Sequence, residues 1–120
     1  MAGHDAKTVA ALAGALAHPV RVRLLDLLAR GPANVGDLIA ALGEEQTVVS
    51  KHLASLRSAG LLRCRPDGRC RVYEATVPAT VDRVLAVLAA AAREAAAHAA
   101  AAESAHAAAA ESARATASGG

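Results

Sequence analysis

Aromatic residues are almost absent from the sequence, which contains no Phe, no Trp and a single tyrosine, Tyr73. Alanine supplies 35 of the 120 residues, and 20 of these lie between Ala86 and Ala117. An interior of Leu, Val and Ala suits packed helices better than a β-sandwich, which needs broad inward side chains. This length is enough for one small hydrophobic core. We therefore expect one mostly helical domain.

Further absences exclude several classes of protein. With two cysteines and no basic-then-apolar signal segment, the sequence does not predict a secreted disulfide framework. Charged residues interrupt the Ala-rich region, so no run reaches the roughly 18 apolar residues of a membrane span. No Ser/His/Asp or Cys/His constellation and no Gly-rich phosphate loop is found, so we do not expect an enzyme. We expect a cytoplasmic protein.

Positive charge is concentrated in one segment, although the formal net charge is only +2. Five of the thirteen basic residues fall within fifteen positions, where a single carboxylate, that of Asp67, opposes them. These five residues are Arg57, Arg63, Arg65, Arg69 and Arg71. The segment predicts a local basic patch.

Apolar residues recur at helical spacing through the first half of the chain. They predict four helices over about 5–17, 19–30, 35–42 and 46–59. Asp5 and Asn34 are suitable N-caps, Pro19 suits the first turn of the second helix, and Gly43 suits the end of the third. The last two of these helices are joined by a tight turn, which predicts a helix-turn-helix.

A basic β-hairpin is predicted next, with strands over 61–65 and 69–75 around a three-residue loop, 66–68. This register places Cys64 opposite Cys70, where a strained and easily reduced disulfide could form. The pair is a candidate redox switch or a pair of thiolates offered to a metal. The alternative is that both cysteines pack as small apolar residues.

Helical spacing returns from Pro78, and large apolar residues end at Leu88. This last large apolar stripe (Val81, Val84, Leu85 and Leu88) is expected to pack with Val9, Leu12 and Leu16 across a two-fold dimer interface. We expect a domain over 1–92 and an Ala-rich helical extension over 93–120, which frays and is disordered from Ser112. The fold class predicted is a winged helix-turn-helix with five helices and a two-stranded wing.

Several short sequence segments, and the order in which they occur, resemble the ArsR/SmtB family of dimeric bacterial repressors. They are ALAHPVR at 15–21, VSKHL at 49–53 and AGL at 59–61, within a match over about 9–88. The resemblance implies a DNA-binding homodimer whose two recognition helices enter successive major grooves. The fourth helix would be the recognition helix of each subunit.

Once Val49, Leu53 and Leu56 face inward, the polar positions of the fourth helix remain for DNA. These are Gln46, Thr47, Ser50, Lys51 and His52, of which Lys51 and His52 are expected on phosphates. Arg65 and Arg69 of the wing are expected on phosphates or in the minor groove. The family usually begins this helix with Ser or Thr, whereas Glu44 and Glu45 occupy that place here. A winged-helix interaction module that no longer binds DNA is therefore the alternative.

The metal sites usual in the family do not match this sequence. Its Cys-x-Cys pair corresponds to Asn34 and Gly36, and of the four last-helix positions, which are Pro78, Thr80, Ala91 and Glu94, only Glu94 is a ligand type. Other candidates are Glu94 with His98, Glu103 with His106, and His4 in an amino-terminal Ala-Gly-His motif. Ni(II) or Zn(II) suits these ligands, and nickel suits both kinds of site, which favours a nickel-linked member. The alternatives are that the polar residues only solubilise the Ala-rich helix, or that a separate partner protein senses the effector.

Overall fold

The structure is a computed structural model that describes residues 3–68 and 70–118, without the side chains of Asp67, Cys70 and Ser118. In these residues five helices and three strands are found. The helices are α1 (Ala6–Ala15), α2 (Pro19–Arg30), α3 (Val35–Leu42), α4 (Gln46–Ser58) and α5 (Pro78–Ser118). The strands are β1 (Ala33–Asn34), β2 (Leu62–Asp67) and β3 (Cys70–Ala75). This order agrees with the predicted winged helix-turn-helix.

Local signals explain where the helices begin and end. The carboxylate of Asp5 accepts a hydrogen bond from the Lys7 amide at 3.2 Å and caps α1. Asn34 accepts one from the Asp37 amide at 2.8 Å and caps α3. Gly43 then ends α3 with φ +68°, a conformation that other residues adopt only with strain. The predicted caps and stop of these helices are confirmed.

A single hydrophobic core joins α2, α3, α4, the hairpin and the first turn of α5. Its largest fully buried side chains are Leu24, Leu25, Leu28, Leu38, Val49, Leu53 and Leu56. Each buried side chain of this size stabilises the fold by about 1.5–3 kcal/mol relative to an exposed one. Because three of the seven belong to α4, this helix has a fixed orientation against the core.

The three strands form an antiparallel sheet in the order β1-β3-β2. Ala33 pairs with Tyr73 and Asn34 pairs with Val72, so the start of α3 lies beside β3. The third strand was not expected from the sequence, because two residues are too few to show the alternation that predicts a strand. It connects the helix-turn-helix to the wing by backbone pairing.

The connection between β2 and β3 is shorter than predicted. The ladder continues past Pro66 until Asp67 pairs with Cys70, which leaves two connecting residues rather than three. Gly68 has φ +62°, as a two-residue hairpin turn requires at its first position. Pro66 is tolerated because β2 is an edge strand, where a missing N–H need not break a ladder.

This register also corrects the predicted juxtaposition of the two cysteines. Cys64 pairs with Tyr73, not with Cys70, and the two cysteines are separated by three steps along the ladder. Three steps span roughly 10 Å, beyond the distance that a disulfide bridges. The predicted facing of Cys64 and Cys70 is wrong, and the proposed redox switch loses its geometric basis.

Helix α5 is longer than expected. It continues to Ser118, so the disorder predicted from Ser112 is wrong for 112–118, and residues 119 and 120 lie outside the described residues. Alanine has the highest helix propensity, which favours helix even without packing partners. The chain divides into two compact units, one ending at Leu85 and one beginning at Ala86. The predicted domain limit at residue 92 stays a prediction.

By length and composition alone, α5 over Pro78–Ala117 includes an 18-residue stretch that is apolar enough to cross a membrane, with a mean hydropathy of 1.4. This average tolerates two charged side chains within the 18 residues, whereas the expectation from the sequence concerned an uninterrupted apolar run. A single helix of this kind is weak evidence for a membrane protein. The segment also includes Arg93, Glu94 and His98 in its middle, and such residues are costly in a bilayer.

Candidate nucleic-acid interface

Helix α4 has one buried face and one exposed polar face. Val49, Leu53 and Leu56 are fully buried, as predicted. Four of the five predicted contact residues on this helix are exposed, namely Gln46, Thr47, Ser50 and Lys51. Amide, hydroxyl and ammonium groups in one row can hydrogen-bond base edges and phosphates. Contact of these residues with DNA stays a prediction.

His52, the fifth predicted residue of α4, differs from the other four because it is half-buried. Its Nδ1 accepts a hydrogen bond from Arg21 Nε at 3.1 Å, and its ring centroid lies 5.2 Å from that of His18. Burial lowers the pKa of His52, and the charges of Arg21 and His18 lower it further. A neutral ring whose Nδ1 accepts this bond carries its proton on Nε2. The geometry favours a positioning role, and the predicted phosphate contact stays a prediction.

Arg21 connects three helices around this histidine. Besides His52 in α4, its guanidinium donates to the carbonyl oxygen of Ala15, the last residue of α1, at 3.3 Å. Sequence reasoning missed Arg21. The available signal was its spacing, because Arg21 lies three, four and seven residues before Leu24, Leu25 and Leu28 on the core-facing stripe of α2.

His18, at the beginning of α2, packs against α4 and does not cap its own helix. It occupies the N-cap position of α2, but its side chain makes no capping hydrogen bond. Its ring instead lies against that of His52 at an interplanar angle of 48°. The contact adds to the connection between the beginning of α2 and α4.

The wing is less positive than its arginine count suggests. Arg63 Nε donates to Glu74 Oε1 at 2.7 Å, and Arg65 Nε lies 3.8 Å from the same oxygen. The hydrogen bond from Arg63 lowers the pKa of the Glu74 carboxyl, which keeps it ionised. Arg65 remains exposed and able to reach DNA. Arg69, the other predicted wing contact, lies outside the described residues.

A groove of about 600 Å³ lies between α4, the start of α3 and strand β3. Gln46 and Ser50 line it from α4, and Arg71 and Tyr73 line it from β3. Burial raises the pKa of the Tyr73 phenol, and its hydrogen-bonded neighbour Cys64 adds to this effect. Sequence reasoning counted Arg71 in the basic patch but did not assign it to the site, because nothing local shows which hairpin residues face α4.

The predicted metal ligands are not gathered into a site within one chain. In the residues that the structure describes, no group of three or more His, Cys, Asp or Glu side chains could hold a metal ion. His4, Glu94, His98 and His106 are all exposed. Glu94 and His98 are one turn apart on α5, so a site there would need ligands from elsewhere. Metal binding stays a prediction.

The predicted dimer-interface residues differ in exposure. Val9, Leu12 and Leu88 are 54%, 38% and 50% exposed. Leu16, Val84 and Leu85 are half-buried, and Leu12, Leu16 and Leu85 line a small cavity of about 90 Å³. Val81 is only 5% exposed and belongs to the core of the single chain, which corrects its assignment to an exposed surface. The interface itself stays a prediction.

Comparisons with known proteins place this architecture in a family. Residues 18–63 match the model described as bacterial regulatory protein, arsR family. The regulator Rv0081 of Mycobacterium tuberculosis is 39% identical over 64 residues, which are 52% of this chain and 56% of that protein. The chain therefore spans just over half the length of this relative. The crystal structure of Rv0081 has a TM-score of 0.66 at 34% identity and covers 73% of this chain and 88% of that one.

Two further relatives support the same family assignment. A Streptomyces lividans protein named "probable mercury resistance operon repressor" is 34% identical over 90 residues, which are 75% of this chain and 72% of that protein. The solution structure of Mb0332 from Mycobacterium bovis, a homodimeric winged helix-turn-helix DNA-binding domain, has a TM-score of 0.64 at 33% identity. It covers 78% of this chain and 92% of that one. These relatives are regulatory proteins rather than enzymes. The chain belongs to the arsR family of bacterial regulatory proteins.

Proposed function

We propose that this protein is a cytoplasmic, homodimeric, sequence-specific DNA-binding repressor of transcription. The observation that supports it best is α4, whose apolar face is fully buried while Gln46, Thr47 and Ser50 face solvent. A helix held rigidly by its core can present these groups to base edges without losing much conformational freedom on binding. The similarity to the homodimeric Mb0332 domain supports the two-fold arrangement.

In this proposal α4 of each subunit lies in a major groove, and the two grooves are about one helical turn apart. The Gln46 amide can donate to and accept from an adenine edge, and Thr47 and Ser50 can reach bases or phosphates. Lys51 and the wing arginines, Arg65 and Arg69, neutralise phosphates and hold the helix in register.

Fluorescence anisotropy with a duplex from the protein's own promoter and a scrambled duplex tests this. The Gln46→Ala variant should change the preference among operator variants by about 1–3 kcal/mol through loss of a bidentate base contact. The Arg65→Ala/Arg69→Ala double variant should weaken binding to both duplexes alike and flatten the salt dependence. Equal affinity of the wild type for promoter and scrambled DNA would contradict sequence-specific recognition.

Metal linkage is a second, finer candidate. It is supported by the mercury-related name of one relative and by Glu94 and His98 one turn apart on α5. Nickel or zinc is the metal that such nitrogen and oxygen ligands suit. Metal analysis of the purified protein, followed by DNA titration with and without Ni(II) and Zn(II), decides the matter. If neither metal alters DNA affinity, sensing by a partner protein remains the alternative.

A further inference from the structure

The groove between α3, α4 and β3 has features of an anion site. Its two walls differ in chemistry, since α4 contributes the polar side chains of Gln46 and Ser50, and β3 contributes a cation, Arg71, and a phenol, Tyr73. The pairing of β1 with β3 fixes the start of α3 next to Tyr73 and Val72, and α3 packs on α4, so the two walls are joined through α3. The groove is therefore part of the rigid frame of the fold.

Charge distinguishes Arg71 from the other arginines described in the wing. Arg63 donates a hydrogen bond to the carboxylate of Glu74, and Arg65 lies 3.8 Å from the same carboxylate. Arg71, in contrast, makes no ion pair with any side chain that the structure describes. Side chains alternate along a strand, so Arg71 and Tyr73 share one face of β3, and Glu74 is on the other. The positive charge that faces the groove is thus uncompensated on that face of the strand.

Gly36, in the first turn of α3, also lines the groove. A Cβ at this position would lie 3.3 Å from Asn34 Oδ1, the atom that caps α3, so a side chain there would crowd the cap. Asp37 in the same first turn opposes an anion, and the dipole of α3 alone is therefore insufficient to bind one. Arg71 provides the charge that the helix end lacks.

We propose that this groove binds a phosphate group of the DNA backbone, with Arg71 as its cation and the Ser50 and Tyr73 hydroxyls as additional donors. The inference rests on the proposed DNA-binding function and refines it. A phosphate held there lies next to Gln46 and would set the depth and register of α4 in the major groove. Arg71 would then act with Arg65 and Arg69 in positioning α4, whereas Arg63 would not.

The test compares the wild type with Arg71→Gln, Arg71→Lys and the matched control Arg63→Gln, by anisotropy with promoter and scrambled duplexes over a series of salt concentrations. Arg71→Gln should lose about tenfold in affinity for both duplexes and reduce the salt slope by about one. Arg71→Lys should retain the slope, and Arg63→Gln should resemble the wild type. Circular dichroism checks that each variant folds.

The inference is overturned if Arg71→Gln and Arg63→Gln behave alike, or if Arg71→Gln alters sequence preference without changing the slope. Titration with inorganic phosphate at constant ionic strength, followed by nuclear magnetic resonance, separates the sources of the anion. Binding of free phosphate by the wild type but not by Arg71→Gln, with unchanged DNA affinity, assigns the groove to a small anion and contradicts the DNA assignment. Absence of DNA binding by the wild type contradicts the proposed function itself.

Discussion

Arg21 and His52 form a polar contact between α2 and α4. The guanidinium needs an acceptor on α4, and the imidazole supplies one only while Nδ1 is unprotonated. Protonation of His52 would place two cations against each other. The hydrogen bond between α2 and α4 therefore depends on the protonation state of one side chain.

Replacement of His52 tests this contact. His52→Ala should lower the free energy of unfolding at pH 7.5 by about 1 kcal/mol, because Arg21 loses its acceptor, and His52→Gln, which keeps an acceptor, should lose less. Urea denaturation followed by circular dichroism measures both. Equal losses in the two variants would show that shape, not hydrogen bonding, matters at this site.

The lowered pKa of His52 also predicts a pH dependence. The unfolded chain takes up a proton near pH 6.5 and the folded chain takes it up only at lower pH, so stability should fall as the pH drops below about 6.5. Unfolding measured from pH 5 to 8 should show a smaller fall in His52→Gln than in the wild type. Identical pH profiles would mean that His52 titrates alike in both states.

Among the elements, α3 depends most on its cap, because it has only eight residues. Asn34→Ala should destabilise the protein by about 1 kcal/mol through loss of the hydrogen bond from the Asp37 amide. Asn34→Ser retains a capping oxygen and should cost less, and thermal unfolding compares the two. An unchanged midpoint for Asn34→Ala would show that packing alone defines the beginning of α3.

Elements specified by neighbouring residues were predictable, and those specified by distant ones were not. Asp5, Asn34 and Gly43 act within one turn of their own positions, so helix ends followed from the sequence. The pairing of β1, the hairpin register and the approach of Glu74 to Arg63 depend on residues that meet only in the folded chain. The exposed face of α4 was predictable because burial follows helical periodicity. The groove at Arg71 was not predictable, because it forms only where the sheet places β3 beside α3.

At the scale of the whole molecule, the proposed dimer should not depend on the end of α5. Truncation after Ala92 should leave a dimer, because the large apolar residues proposed for the interface all precede that point. Sedimentation velocity at micromolar concentration compares the truncated and full chains. A monomeric full chain would contradict the two-half-site mode of recognition, and a dimer only of the full chain would assign association to the extension.

The two residue pairs between β1 and β3 have a mechanical consequence. Through them the first turn of α3 and the hairpin are joined by backbone pairing, and α3 in turn packs on α4. A displacement of the wing would therefore have to break these backbone pairs or carry α3 with it. The spacing between the wing and α4 is thus held by the fold itself and not by the side chains that are proposed to meet the duplex.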